Sequence, residues 1–180
     1  MSKIVTHYGN VIDLLDPDPA DISLFDIAHN LSHLCRFNGA TKYRYSVAQH
    51  SLFVSRLVSP QHALQALMHD ATEAYLGDVV KPLKELLPDY QTLEDRMWAS
   101  ICEALGIEPY LTEEVHRGDV SAYLKERVTL IGKPILEDPD YHRYVGQLII
   151  DEEIPGDQDP NEVKQEFMTR FHTLKRRTVL

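Results

Sequence analysis

From Ser23 onward, apolar residues recur at spacings of three and four in blocks that proline and glycine cut apart. That pattern restricts the chain to short packed helices. Leu24, Ile27, Ala28, Leu31 and Leu34 share one face of a helix over residues 24–35, with Ser23 in the capping position. Residues 36–45 read as an ordered loop turning at Asn38-Gly39, and a second helix runs from about Ser46 to Val58. Ser59 and Pro60 open a third that reaches Leu76 and stops at Gly77. Pro82 and Pro88 bracket a short amphipathic piece, Asp89 starts a helix to about Leu105 closed by Gly106, and Thr112 starts another to about Ile131. Residues 132–158 are turn-rich, and a last helix over 161–176 ends in Lys175, Arg176 and Arg177, which suit its dipole. Ahead of these helices, Gly9-Asn10 marks a turn that allows a short β-hairpin. The expectation is an all-α protein, a single compact helical bundle over residues 1–180 with an optional N-terminal hairpin.

Charge and composition exclude several functions. With 28 acidic against 18 basic residues the net charge is −10, so a polyanionic duplex is repelled and nucleic acid is not expected as a partner. A small phosphorylated ligand remains admissible, because a metal and a few placed cations override the global field locally. No apolar run approaches the ~20 residues that span a bilayer, and the N-terminus lacks the apolar core of a secretory signal. Cys35 and Cys102 stand far apart with no CxxC pair, which argues against both a disulfide framework and a thiolate zinc site. A membrane-free, cytoplasmic protein is expected, of a bacterium or of a phage-infected host cell.

The chemistry-bearing residues lie in three of these helices. In HDATEAYLGD, residues 69–78, His69 and Asp70 are about 100° apart on a helix, and Glu73 falls on their side one turn later. Taken alone, such a group is more often a solvated polar face. His50, however, is in register with Val47, Val54 and Leu57, an inward stripe, and a lone histidine there is more often a satisfied core residue than a ligand. Asp119 aligns with Val115, Ala122 and Leu130, where a carboxylate needs donors, a cation or a metal; a buried ion pair with Arg or Lys would also serve. Together these residues offer imidazoles and carboxylates, all of them ligand types for divalent ions.

The ordered pattern His50, then His69-Asp70, then Asp119, within LCRFNGATKYRYSVAQHS, MHDATEAYLGDVVKPLK and GDVSAYLKER, resembles the signature of HD-domain metal-dependent phosphohydrolases. It is similar to their small nucleotidase branch, which includes bacterial 5′-deoxynucleotidases and phage dATP triphosphohydrolases. The likeness spans roughly residues 22–130. It implies an HD-domain bundle in which His50, His69, Asp70 and Asp119 hold one divalent ion. It implies that Glu73 activates or positions the attacking water, and that Asp78 lies beside the substrate and leaving group. Arg36 then binds the phosphate, with Phe37 near the sugar. Lys81, after the GDVV turn, is a further candidate cation for the substrate, with a solvated surface position as the even alternative.

Two neutral imidazoles and two carboxylates leave an ion open positions for water and a phosphoryl oxygen. Zn, Co, Mn, Fe and Mg are all chemically admissible, and a second, substrate-borne divalent ion is left open. Only 48 residues separate Asp70 from Asp119, a compact interval similar to that of the phage-type enzymes. The leading expectation is therefore cleavage at the α-phosphate of a deoxynucleoside triphosphate such as dATP, giving nucleoside and triphosphate. A 5′-deoxynucleotidase acting on dNMPs is the alternative. The choice turns on cations for the outer phosphates, with Lys42, Arg44, Lys81, Lys84 and Lys125 as candidates. An alarmone or cyclic-nucleotide hydrolase and a catalytically inactive binding module are the remaining readings. His33 and His116 are open as supports behind the ligands. The resemblance also implies a homo-oligomer, a dimer or hexamer, with the C-terminal helix as a contact.

Overall fold

The computed structural model describes residues 2–132, 139–144 and 152–178. It is mostly helical, with one two-stranded antiparallel hairpin, β1 (Lys3–Val5) and β2 (Val11–Asp13), in which Ile4 pairs with Ile12. Gly9, at φ 90°, lies in the connection, as its turn chemistry predicts. The hairpin is tied down by Asp26, which is fully buried. Asp26 accepts from Thr6 Oγ1 at 2.8 Å, Asn10 Nδ2 at 2.7 Å and the Tyr8 amide at 3.1 Å. Three donors offset the cost of taking that carboxylate out of water.

The helices are α1 (Leu24–His33), α2 (Val47–Leu57), α3 (Ala63–Met68), α4 (Glu73–Leu76), α5 (Lys81–Lys84), α6 (Pro88–Leu105), α7 (Glu113–Glu126), α8 (Pro139–Tyr144) and α9 (Pro160–Thr178). Most starts and stops follow the local signals. Ser46 and Gln49 form a reciprocal capping box on α2, Thr112 Oγ1 accepts from the Val115 amide, and Gly106 ends α6 at φ 60°. Ser23 occupies the capping position of α1 but its side chain makes no cap hydrogen bond.

The expected helix from Ser59 to Leu76 is instead broken in two. Its first part starts at Ala63, three residues after the expected first helical residue Pro60, and it tightens between α3 and α4. There the amides of Ala71, Glu73 and Ala74 bond three residues back, to the carbonyls of Met68, Asp70 and Ala71. The tighter turn changes the angle between successive side chains. The helix from Thr112 likewise changes form at Glu126 and finishes as a π-helical turn, Arg127–Ile131.

α2 occupies the middle of the molecule. Every residue from Val47 to Leu57 except Arg56 is buried, which suits a segment of apolar and small side chains on all sides. It packs on α3 and α7 and also touches α1 and α9. Phe53, Val54 and Leu57 join Ala66, Val115 and Ala122 in one cluster. A larger core gathers Ile27 and Leu31, Leu67 and Met68, Met97 and Ile101, and the α9 stripe Val163, Phe167, Phe171 and Leu174. Burying an apolar side chain of this size contributes about 1.5–3 kcal/mol. The stripe of α9 packs within the chain against α1, α2 and α3.

α7 approaches α2 closely at Gly118, where an added Cβ would lie 2.8 Å from Val58 Cγ1. We expect Gly118→Ala to destabilise the fold by about 1–2 kcal/mol despite alanine's higher helix propensity, because a β-branched neighbour gives way poorly. A lowered thermal midpoint checks this; an unchanged one would mean α7 can shift freely.

Candidate metal centre

His50 on α2, His69 just after α3, and Asp119 on α7 bring one ligand atom each within 4.8 Å of one another. His50 Nε2 lies 3.3 Å from His69 Nε2 and 3.0 Å from Asp119 Oδ1, and His69 Nε2 lies 3.6 Å from Asp119 Oδ1. Asp70 Oδ2 reaches His69 Nε2 at 3.3 Å and His50 Nε2 at 3.6 Å, and also faces Arg36 at 3.5 Å. The four residues expected to act together therefore meet, from three separate segments.

Hydrogen bonding decides how the two imidazoles face each other. His69 Nδ1 is 2.8 Å from the Ala66 carbonyl, which can only accept, so Nδ1 carries the proton. His50 Nδ1 is 2.7 Å from Glu126 Oε1. Burial would raise the Glu126 carboxyl, but His50 and Arg36 outweigh it and hold the group ionised, below its usual range. It too can only accept, so His50 also carries its proton on Nδ1.

Both Nε2 lone pairs then point at the same small space, 3.3 Å apart. Lone pairs so placed repel unless a positive charge lies between them. Two nitrogens bound at ~2.0–2.1 Å to a tetrahedral ion sit roughly 3.3 Å apart, so the donor set fits a divalent cation. The same acidic surroundings act on a proton. Burial opposes charging His69, yet Asp70 and Asp119 push it up to about 9.

Glu73 is buried; its Oε1 faces Lys84 Nζ at 3.5 Å and its Oε2 has no hydrogen-bond partner. Burial first, then Asp70 and Asp78, raise its carboxyl well above the ordinary range. Asp78 is half-buried, directly after Gly77, whose φ of 82° with ψ of 157° is open only to glycine. Burial and Asp70 raise Asp78 as well, against the pull of Arg36.

Arg36 donates from Nε to Glu126 Oε2 at 3.1 Å and sits over the Phe37 ring at 5.3 Å. Phe37 and Asn38 adopt φ of 55° and 51°, a left-handed stretch that costs roughly 1–2 kcal/mol per residue. Anchors on both sides hold it, the Arg36 amide to the Tyr45 carbonyl at 3.0 Å and the Ala40 amide to the Phe37 carbonyl at 2.9 Å. The Phe37 ring stacks 6.1 Å from Tyr123 of α7. Such strain concentrates at functional sites.

Lys81 opens α5 and is exposed. His33 lies elsewhere, with its ring 4.3 Å from that of His29, which in turn stacks on His7 at 3.7 Å. His116 lines a cleft of about 300 Å³ together with Thr112, Glu113, Tyr110, Leu111, His69 and Asp119, so the cleft opens onto two of the candidate ligands. Sequence reasoning passed over Glu126 and Tyr45, which donates to Glu126 Oε1 at 3.0 Å. The available signal was spacing: Glu126 stands seven residues, two helical turns, after Asp119 and on the same face of α7.

Among the described residues no helix is long and apolar enough to cross a membrane. No family model matches the chain. It is 47% identical over 129 residues, 71% of either chain, to the uncharacterized protein YfdR of Escherichia coli. It is 35% identical over 193 aligned positions, 93% of either chain, to the uncharacterized protein RCAP_rcc00048 of Rhodobacter capsulatus.

Proposed function

We propose, for a chain that belongs to one family with the uncharacterized proteins YfdR and RCAP_rcc00048, that it is a metal-dependent phosphohydrolase of the HD-domain type acting at the α-phosphate of deoxynucleotides. The observation that carries this reading is the convergence of two Nε2 lone pairs and the Asp119 carboxylate beside a buried Glu73 and an inward Arg36. A divalent ion held there would supply Lewis acidity toward a phosphoryl oxygen and acidify a water.

The chain's own groups supply the rest. Glu73, buried with one oxygen unsatisfied, takes the proton of the attacking water. Arg36 presents a planar donor face to the phosphate. Asp78, raised by burial, supplies a proton or a hydrogen bond to the leaving oxygen. Phe37 is the candidate wall for the sugar, because it stands beside Arg36.

The disposition of cations favours the monophosphate over the triphosphate. Lys42 is bonded to the Thr129 carbonyl at 2.8 Å, Arg44 to the carbonyls of Gln158 and Ser32, and Lys84 to Glu94 at 2.7 Å. Three of the five candidates for outer phosphates are thus committed to protein acceptors. Among the described residues, the cleft beside His69 and Asp119 is lined by Glu113 and no Lys or Arg.

The deciding measurement is product analysis with Mn²⁺- or Co²⁺-loaded protein against dNMPs, dNTPs and their ribo counterparts. Nucleoside and inorganic phosphate from dNMPs are expected. Nucleoside plus triphosphate from dATP would move the assignment to the triphosphohydrolases, and equal turnover of ribonucleotides would remove the role given to Phe37. No turnover of any nucleotide would leave the alarmone and inactive-module readings.

A further inference from the structure

Glu126 is fully buried, at the last position of α7, where the helix changes to its π-helical turn. A carboxylate in that position is expensive unless every oxygen is engaged. Oε1 accepts from His50 Nδ1 at 2.7 Å and from the Tyr45 hydroxyl at 3.0 Å, and Oε2 accepts from Arg36 Nε at 3.1 Å. The three donors come from α2, from the loop after α1, and from the start of the capping segment before α2. Two of them belong to the site described above, one facing the ion and one facing the phosphate. None of the three contacts is local; they span 76 to 90 residues of sequence.

We propose that Glu126 is a positioning residue that fixes His50 toward the ion and Arg36 toward the substrate anion through one shared carboxylate. The proposal rests on the reading of the site as a metal-dependent phosphohydrolase. By holding the proton on Nδ1, Glu126 keeps the Nε2 lone pair of His50 free for the ion and raises its basicity. By holding Nε of Arg36, it turns one terminal nitrogen of the guanidinium, Nη1, to face Asp70 at 3.5 Å, on the side of the centre. The ion site and the anion site are thereby set from one point, so a shift of the α7 end displaces both.

The test compares Glu126→Ala and Glu126→Gln, with Co²⁺ alone as the probe, read by chelator competition and by its visible spectrum. Glu126→Ala is expected to weaken Co²⁺ binding by about 10–100-fold and to change the spectrum. Glu126→Gln retains an acceptor for His50 and should restore most of the Co²⁺ affinity. It removes the counter-charge of Arg36, so the KM for the nucleotide should stay raised. Should the alanine variant not fold, Glu126→Asp must show the Co²⁺ loss instead, because a side chain one methylene shorter cannot reach His50, Tyr45 and Arg36 together. Wild-type Co²⁺ affinity and spectrum in the alanine or aspartate variant, or an equal loss in the glutamine variant, overturns the proposal. Co²⁺ binding is read without substrate. A wild-type protein that bound Co²⁺ and hydrolysed no nucleotide would therefore fail the proposed reaction, and the positioning of His50 would still be decided by these variants.

Discussion

Asp119→Ala is expected to release the metal and abolish turnover together. Asp119 Oδ1 lies 3.0 Å from His50 Nε2 and 3.6 Å from His69 Nε2, so its removal leaves Asp70, among the described residues, as the carboxylate that faces both Nε2 atoms. An ion held by so few ligands is easily lost, and the Lewis acidity that goes with it is worth several kcal/mol, on the order of 10³-fold or more in rate. The fold should survive. The Asp119 side chain is about one-third exposed (35%), so no sealed cavity forms in its place. Metal content after dialysis, read beside the thermal midpoint, decides the point. A variant that folds and retains its full complement of metal would mean that the ligand set is wrong.

The second large effect is expected at Glu73, and it should separate chemistry from metal binding. Glu73→Gln keeps the shape of the side chain and an oxygen for Lys84, but it cannot take a proton. General-base contributions of this kind are typically 10²–10⁴-fold, so kcat should fall in that range while Co²⁺ affinity stays near that of the wild type. Folding should not suffer. Burial first, then Asp70 and Asp78, raise the Glu73 carboxyl well above the usual range. Removing a charge from such a place relieves repulsion as well as desolvation. Wild-type turnover in the variant would strip Glu73 of its assigned role and move the base elsewhere, with Asp78 as the next carboxylate to replace.

These two variants, read with Glu126, divide the site by function. On the proposed reading, Asp119 would hold the ion, Glu73 would move the proton, and Glu126 would set the orientation of groups that touch each partner. The three carboxylates differ in environment, as three separate purposes would require. Asp119 is drawn well below its normal range by His50 and His69 against the opposing effect of burial, and Glu126 is held ionised by His50 and Arg36. Glu73 is pushed the other way, by burial first and then by Asp70 and Asp78.

Much of the architecture was legible in the residues themselves. The apolar spacing of α1, α2, α6 and α9, the caps at Ser46 and Thr112 and the stop at Gly106 are local signals, and each is obeyed. The inward register of His50 with Val47 and Val54 required burial, and the residue is fully buried. Asp119 in its apolar stripe required donors, a cation or a metal, and its Oδ1 lies 3.0 and 3.6 Å from the Nε2 atoms of two imidazoles. The meeting of His50, His69, Asp70 and Asp119 was readable only through the motif order, since periodicity alone left each with an ordinary structural explanation.

What only the tertiary structure decided are the matters that depend on contacts far apart in the chain. Continuous helical spacing from Ser59 to Leu76 gave no hint that the segment tightens between Met68 and Glu73, because the tightening re-aims side chains against α2 and α7 without changing which residues are apolar. The commitment of Lys42, Arg44 and Lys84 to protein acceptors, which bears on the length of the phosphate chain, has no sequence signature, since a lysine bonded to a carbonyl and one in solvent are written alike. Glu126 is the sharpest case. In the sequence it is one more acidic residue at the end of an amphipathic helix, and its partners lie 76 to 90 positions away. Local pattern determines which segments coil and which face turns inward. The identity of the groups that meet there is set by how the helices pack.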